Sequence, residues 1–391
     1  MKHKIVISGL FGENNAGDEL LLYKLLDGLF NNFEIETISI FSSDVQKTIN
    51  SLTINGINTG KIQILYSGRW GLLESNKKFP ESFSWLPKTI KTIRKSDILI
   101  TGPGNVIKDN TNAFFLIFWL AKVFIAFIFS KKYCFLGIGA IGLNHSWSKL
   151  LFSLLKNKSL FFSTRDSRSA TVLKKLKVKP DKIFAYSDLS FYDIRTTAAK
   201  TPDRKVVGVN LRSFSTKHYS EEIINSYYAE IFEFLCFLNK NKEYEFKFIP
   251  FCTESHQNDL LALEKLNSFK HLDFPNIEIV NWNTFAELEN EFSKCHAFIG
   301  TRFHSSCISI QNGIPLIALS YDDKTHNLMH DIDMPEYCLK IPEITFKGLK
   351  NIWETIESNR SEIKSKEINA VSKYSILAEK HFELLTNHLT K

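Results

Sequence analysis

The sequence contains no CxxC pair, no GxxxxGKS/T loop and no GxSxG elbow, and the glycines of its first loop, 9–17, are not spaced as GxGxxG. Thiol–disulfide exchange, the P-loop and the α/β-hydrolase nucleophile therefore lack their usual signatures, and the first loop is not a dinucleotide fingerprint. Cysteines are few and scattered: Cys134, Cys236, Cys252, Cys295, Cys307 and Cys338 lie mostly inside apolar runs, where a reduced thiol acts as a small hydrophobe. A reducing cytoplasm is the expected location. With 10 prolines and 17 glycines there is no room for a long low-complexity arm. Charge of one sign is also scarce: 49 Lys and Arg against 42 Asp and Glu give +7, which suits anionic small molecules or an acidic membrane surface and does not by itself indicate nucleic acid. The opening MKHKIVISGLFGEN has one short strand-like run and then polar turn residues, so secretion through a signal peptide is not expected. The one long apolar run, Ala113 to Phe129, is shorter than the roughly 20 residues that span a bilayer. It also carries Lys122 near its middle. A buried helix is expected there, with lipid contact by its outer residues as the alternative.

What is present is a chain of 391 residues, long enough for two domains, with 44% hydrophobic and 23% charged residues as in globular proteins. Short β-branched runs, glycine-bearing turns and helix-period stretches alternate from the start, the pattern of parallel α/β sheets. Strands are expected at 4–8, 36–41, 62–65, 98–101, 133–138 and 160–164, then at 205–211, 245–250, 277–280, 297–300 and 315–319. A polar, proline-bearing stretch at 195–204 separates the two sets, and mixed-charge helical periodicity follows Pro342. The expected division is 1–200, 201–342 and a closing helical region, 343–391. The expected architecture is α/β, with two Rossmann-like domains facing a cleft and ligands bound beyond the carboxyl ends of the strands.

Several loops at those strand ends carry chemistry. Gly9 to Gly17 (GLFGENNAG) leads through Asp18 and Glu19 into an apolar helix; it reads either as a tight turn with an Asp cap or as a sugar-binding or base-supplying loop that includes Asn14 and Asn15. TGPGN (101–105) and GIGAIG (137–142) read as glycine loops after buried strands. The segment AFIGTRFHSSCISIQNGIPLIALSYDDK (297–324) places Arg302, His304, Ser305 and Ser306 at a helix N-terminus beyond a strand end. Backbone N–H groups, the helix dipole and a planar guanidinium favour phosphate or carboxylate there. Lys324, after the next strand, is expected to project toward the same point. Arg165 and Arg212 occupy similar strand-end positions, where each reaches a ligand or pairs with a nearby acid such as Asp166; Asp188 also follows a candidate strand. His326 and His330 are spaced i, i+4, but no HExxH glutamate accompanies them and no metal site is expected.

Taken in order, GLFGENNAGDE, TGPGN, GIGAIG, RDSRSATVLKKL, SDLSF, VGVNLR and the Arg302–Lys324 series resemble the polysaccharide pyruvyl transferase family over residues 5–335. Gly102-Pro103-Gly104 stands where the family usually has three glycines. Asp188-Leu189-Ser190 replaces an acidic-proline-alanine pattern. The resemblance implies a glycosyltransferase-B-like fold and phosphoenolpyruvate as donor substrate, with no separate cofactor. A pyruvyl group would be set as a cyclic ketal on two hydroxyls of a sugar in a cell-surface polymer or its lipid-linked precursor.

It implies donor contacts at Arg302 and His304; the strand-end reading adds Lys324, Arg212, Arg165 and Ser305 as expected donor contacts and Asn14, Asn15, Gly102, Gly104 and Asn105 as expected acceptor contacts. His304 is the expected general acid, because histidine titrates near neutral pH, and Asp18 or Glu19 the expected base. A cytoplasmic protein is implied, with the inner membrane face as a contact surface. The rival readings are a nucleotide-sugar glycosyltransferase on the same architecture and a non-catalytic glycan- or glycolipid-binding module.

Overall fold

In a computed structural model of the chain, residues 2–13, 15–67, 85–109, 113–194, 205–240, 242–253, 258–269 and 273–389 are described. Asn14 and the boundary stretch 195–204 lie outside them. The chain divides into two compact units: Met1–Glu13, Asp18–Asp193 and Tyr374–Lys391 form the first, and Asn14–Gly17 with Ile194–Lys373 the second.

The first unit is a parallel sheet with crossover helices. Its strands are β1 (His3–Ser8), β2 (Ile35–Ser42), β3 (Ile62–Tyr66), β4 (Ile98–Thr101), β5 (Gly104–Lys108), β6 (Lys132–Gly142), β7 (Phe162–Thr164) and β8 (Ile183–Ala185). They run in the order β3-β2-β1-β4-β6-β7-β8, with β5 extending the β4 side of β6. The helices are α1 (Ala16–Asn32), α2 (Val45–Ile54), α3 (Leu86–Lys95), α4 (Ala113–Ile128), α5 (Ser146–Lys156) and α6 (Ser167–Lys175). Fully buried strands such as β4, ILIT, read as continuous apolar runs because helices cover both faces of a parallel sheet. Local chemistry starts the helices: Asp44 caps α2 by accepting from Lys47 N at 3.1 Å, and Asp166 caps α6 by accepting from Ser169 N at 2.6 Å.

Strand order reverses between β1 and β4. Right-handed crossovers therefore put α1 and α2 on one face and α3 to α6 on the other. Under the second set lies a core in which Phe135 stacks on Phe162 at 4.6 Å and Trp119 is buried. Helix α4 is the apolar run, and Lys122 points into this core with its ammonium 3.5 Å from the centre of the Phe118 ring. Burial pushes its pKa well below the usual lysine range. No helix among the described residues is long and apolar enough to cross a membrane.

The second unit repeats the plan with β9 (Lys205–Asn210), β10 (Tyr244–Phe248), β11 (Ile277–Ile279), β12 (Cys295–Gly300), β13 (Leu316–Ser320) and β14 (Cys338–Lys340) in the order β11-β10-β9-β12-β13-β14. Its helices are α7 (Glu221–Asn239), α8 (Leu260–Asn267), α9 (Phe285–Ser293), α10 (Phe303–Gln311) and α11 (Asp323–Asp331). A capping box, Thr284 with Glu287, starts α9. The order reverses here between β9 and β12, which makes the residues after those two strands, Arg212 and Arg302 among them, the expected ligand position.

Two short strands, β5 and β14, are additional to those expected from sequence, and β8 is the candidate strand that precedes Asp188. GIGAIG, expected as a loop, is instead the end of strand β6. Backbone pairing of Gly104 with Ile138 and of Asn105 with Gly139 continues the sheet through it. The closing region is one helical run, α12 (Phe346–Leu389), bent at Asn359, where φ −119° and ψ 22° leave the helix. Residues to Lys373 belong to the second unit and those from Tyr374 to the first.

On the latter part, His381 is buried between Ser163 and Ser187. Its Nε2–H donates to the Ser187 carbonyl at 2.9 Å, so Nδ1 accepts from the Ser163 hydroxyl at 2.8 Å. Burial pushes the ring from 6.5 down to about 4, against the Ser187 carbonyl and Asp188. Between those pH values the unfolded chain takes up a proton that the folded chain refuses. His381 therefore contributes stability that is complete above pH 6.5 and lost toward pH 4, about 3 kcal/mol in all. Glu19, raised from 4.5 to about 7 by burial, tilts the curve the other way over an overlapping range. The clean measurement is thus a difference: the stability gap between the parent and His381→Gln should narrow as pH falls from 6.5 to 4. A gap that stays constant refutes the assignment.

Candidate functional site

At the carboxyl end of the second sheet, Arg302 closes β12 and leads into α10. Its guanidinium is buried, and Nε and Nη2 donate to Oδ1 of Asp259 at 3.0 and 2.6 Å. The other carboxylate oxygen of Asp259 accepts from Asn210 Nδ2 at 3.1 Å and from the backbone N–H groups of Phe251 and Cys252 at 2.9 and 3.1 Å. Asn210, the last residue of β9, accepts in turn from Arg302 N at 3.1 Å and Ser305 Oγ at 3.3 Å. Four chain segments are thus tied to one carboxylate. Ser305 is completely buried and also donates to the Arg302 carbonyl at 2.7 Å, so its hydroxyl serves the turn that starts α10.

His304 follows Arg302 by two residues and lies against Gly17. A Cβ on Gly17 would stand 1.9 Å from Nδ1 of the imidazole, so glycine is required for this approach. Gly17 is held by its neighbours: Asn15 bridges Cys252 in antiparallel fashion, Ala16 N donates to the Phe251 carbonyl at 2.9 Å, and Asn15 Oδ1 accepts from Gly17 N at 3.0 Å. The same Phe251–Cys252 backbone whose N–H groups Asp259 holds therefore also seats residues 15–17 beside His304.

Arg212, just beyond β9, differs from Arg302. It is 7% exposed, and its buried Nε has no hydrogen-bond partner among the described residues. Its guanidinium lies 4.2 Å from the centre of the Tyr321 ring and 5.5 Å from that of Phe214. Tyr219 donates to the Tyr321 carbonyl at 3.0 Å and packs edge-on against Phe214, which fixes the aromatic wall. Lys324, expected to project toward Arg302, is bound by Asp322 at 3.1 Å, the residue that caps its own helix.

The first unit holds a second polar group. Arg165, an expected donor contact, stands on this unit at the end of β7. Its Nη2 donates to Asn105 Oδ1 at 2.7 Å, and Asp166 and Asp188 lie 3.5 and 3.8 Å away. A Cβ on Gly139 would sit 2.0 Å from that Asn105 oxygen, so β6 must carry glycine beneath the pair. Gly102 and Gly104 flank a cis Gly102–Pro103 bond between β4 and β5. Asp18 approaches the same turn, 3.9 Å from where a Cβ of Gly104 would be. Glu19 accepts from Gly12 N at 2.7 Å. Burial, aided by the charges of Asp18 and Glu13 and opposed by that N–H, raises its carboxyl to about 7.

His326 and His330 stack edge-on at 4.5 Å on α11, and among the described residues no group of three or more His, Cys, Asp or Glu could hold a metal. Asp259 and Asn210 were not singled out from sequence. Asn210 stood inside the motif VGVNLR, whereas Asp259 offered only an Asp before a helix, which reads as a cap.

Two Rossmann-like units with polar clusters at their strand ends define an α/β protein of the glycosyltransferase-B-like class. Solved structures agree. A putative UDP-N-acetylglucosamine 2-epimerase from Listeria monocytogenes has a TM-score of 0.62 at 13% identity, over 100% of this chain and 97% of that one. UDP-GlcNAc 2-epimerase from Neisseria meningitidis, bound to UDP-GlcNAc, has 0.60 at 12% identity, over 99% and 100%. At such identities the likeness is one of fold. The polysaccharide pyruvyl transferase family profile matches residues 15–323, and the chain belongs to that family. It is also similar to the amylovoran biosynthesis protein AmsJ of Erwinia amylovora, 22% identical over 232 residues, which is 55% of each protein; the chain thus matches about half the length of that relative.

Proposed function

We propose that the protein transfers a pyruvyl group from phosphoenolpyruvate to two hydroxyls of a sugar in a cell-surface polysaccharide or its lipid-linked precursor, forming a cyclic ketal and releasing phosphate. The observation that carries this reading is Arg212. It is a buried cation stacked on an aromatic wall where the strand order reverses, and among the described residues no carboxylate forms a salt bridge with it. Such a group awaits an anion, and phosphoenolpyruvate offers a phosphate and a carboxylate.

The chemistry needs a proton on the donor's methylene carbon while a hydroxyl oxygen bonds to the adjacent carbon. The second hydroxyl then displaces phosphate at that same carbon. His304, at the N-terminus of α10, is assigned as the acid. Glu19 is assigned as the base, since a carboxyl raised to about 7 is matched to abstracting a hydroxyl proton near neutral pH. Arg302 is assigned to shaping the donor pocket from its Asp259 anchor, and Asn105 with Arg165 to the acceptor side.

The test is phosphate release with a matching mass gain on lipid-linked sugars. His304→Ala is expected to lower turnover roughly 100-fold or more while phosphoenolpyruvate still protects the protein from thermal unfolding. Unchanged turnover in that variant removes the acid assignment. Protection by UDP with none by phosphoenolpyruvate replaces the donor reading with a nucleotide-sugar one.

A further inference from the structure

Helices α4 and α5 lie side by side on one face of the first sheet, and their outward surface is apolar where a solvent-facing helix is normally polar. Along α5, Trp147, Leu150 and Leu154 are exposed at helical spacing, Leu150 by 75%. Along α4, Ile117, Phe124 and Ile128 are exposed in the same way. The charge on the helices of this face is of one sign. None of α3, α4, α5 and α6 contains an Asp or Glu. Lys149 and Lys158 stand exposed and Lys131 half-buried at the edges of the apolar stripe, and Lys174 and Lys175 are exposed at the end of α6. The carboxylate nearest the start of α5 is Asp109, and it is buried. It accepts from the N–H groups of Asn144 and His145 and from the Ser148 hydroxyl at 2.7–3.0 Å, so it does not offset the lysines at the surface.

We propose that this face docks on a bilayer containing anionic lipid, lying at the interface without crossing it. Tryptophan and leucine beside lysine match the two components of such a surface: the acyl boundary takes the apolar stripe and the phosphate layer takes the cations. Each lysine near an anionic surface and each large aliphatic side chain buried at the acyl boundary adds to binding. A few of each suffice for reversible binding. A protein partner, including a second copy of this chain, would need acidic groups opposite the lysines, and none lies on these four helices.

The experiment is flotation of the full chain with phosphatidylcholine vesicles, with and without phosphatidylglycerol. Binding is expected only with the anionic vesicles and should weaken as salt is raised. The double variant Leu150→Glu, Leu154→Glu changes two exposed positions and should bind at least roughly tenfold more weakly while melting with the parent. Equal binding to neutral vesicles, or unaltered binding by the double variant, overturns the proposal. So does a self-association that the double variant abolishes in the absence of any vesicle binding. No donor is present in the assay, so failure here leaves the phosphoenolpyruvate reading standing.

Discussion

Replacing Asp259 by Ala is expected to destabilise the second unit by about 4 kcal/mol, because it removes the carboxylate to which Nε and Nη2 of the buried Arg302 guanidinium donate. The carboxylate is completely buried and the arginine side chain only 9% exposed, so water cannot substitute for the lost partner. The N–H groups of Phe251 and Cys252 and the Asn210 amide lose their acceptor in the same change, and each buried orphan adds to the cost. In a unit of this size the melting temperature should fall by about 10 °C. Arg302→Met alone should also destabilise, since it leaves Asp259 buried and unneutralised. Combining Arg302→Met with Asp259→Leu should cost less than the sum of the single changes, because the double variant has no unpaired charge left to bury. Strict additivity, or an Asp259→Ala protein that melts with the parent, would show that the pair is not the anchor of the strand end. Because Phe251 and Cys252 also seat residues 15–17 against His304, the loss should extend to turnover of whatever molecules remain folded.

The alternation of short apolar runs with helix-period stretches was enough to place most strands of both sheets within a residue or two. In parallel sheets the buried strands are apolar throughout and therefore conspicuous. What escaped is physically distinct. Strand β14, Cys-Leu-Lys, is three residues long and only partly buried, so it carries no apolar run to detect. GIGAIG looked like a turn because glycine usually marks one. Here Gly139 is small because the Asn105–Arg165 pair lies directly on the strand, a fact of tertiary contact that spacing does not encode. The arginines of the site were legible as strand-end cations, but their partners were not. An Asp before a helix is ordinarily a cap, yet the side chain of Asp259 makes no capping bond to α8 and turns to Arg302 across 43 residues of sequence. Likewise, Lys324 is separated from its own cap Asp322 by one residue, and that short link binds it locally. Sequence position marks which residues stand at strand ends, whereas neutralisation of each charge is settled by long-range contacts.

That distinction leads to the second large effect, which falls on Arg212 rather than on Arg302. Arg302 is matched by a carboxylate, so much of its charge is already offset within the protein. Arg212 is held by the faces of Tyr321 and Phe214, an arrangement that shields the guanidinium plane from water, and no carboxylate among the described residues pairs with it. A cation so placed stabilises an anion far more than one in water, and most strongly as charge accumulates on a departing phosphate. Arg212→Gln is therefore expected to lower kcat/KM roughly 1000-fold and to abolish thermal protection by phosphoenolpyruvate. The unliganded variant should melt with the parent or above it, since no ion pair among the described residues is broken and a buried charge is removed. Arg212→Lys should recover only part of the activity, because an ammonium cannot present a flat fork to the donor while stacking on Tyr321. Tyr321→Phe should preserve the stack and the rate, while Tyr321→Ala should weaken donor protection through the loss of the wall. If Arg212→Gln still binds phosphoenolpyruvate and turns over, the anion is held elsewhere; if the variant unfolds, the arginine was serving the second core rather than a ligand. Only loss of donor binding in a protein that melts normally supports the assignment.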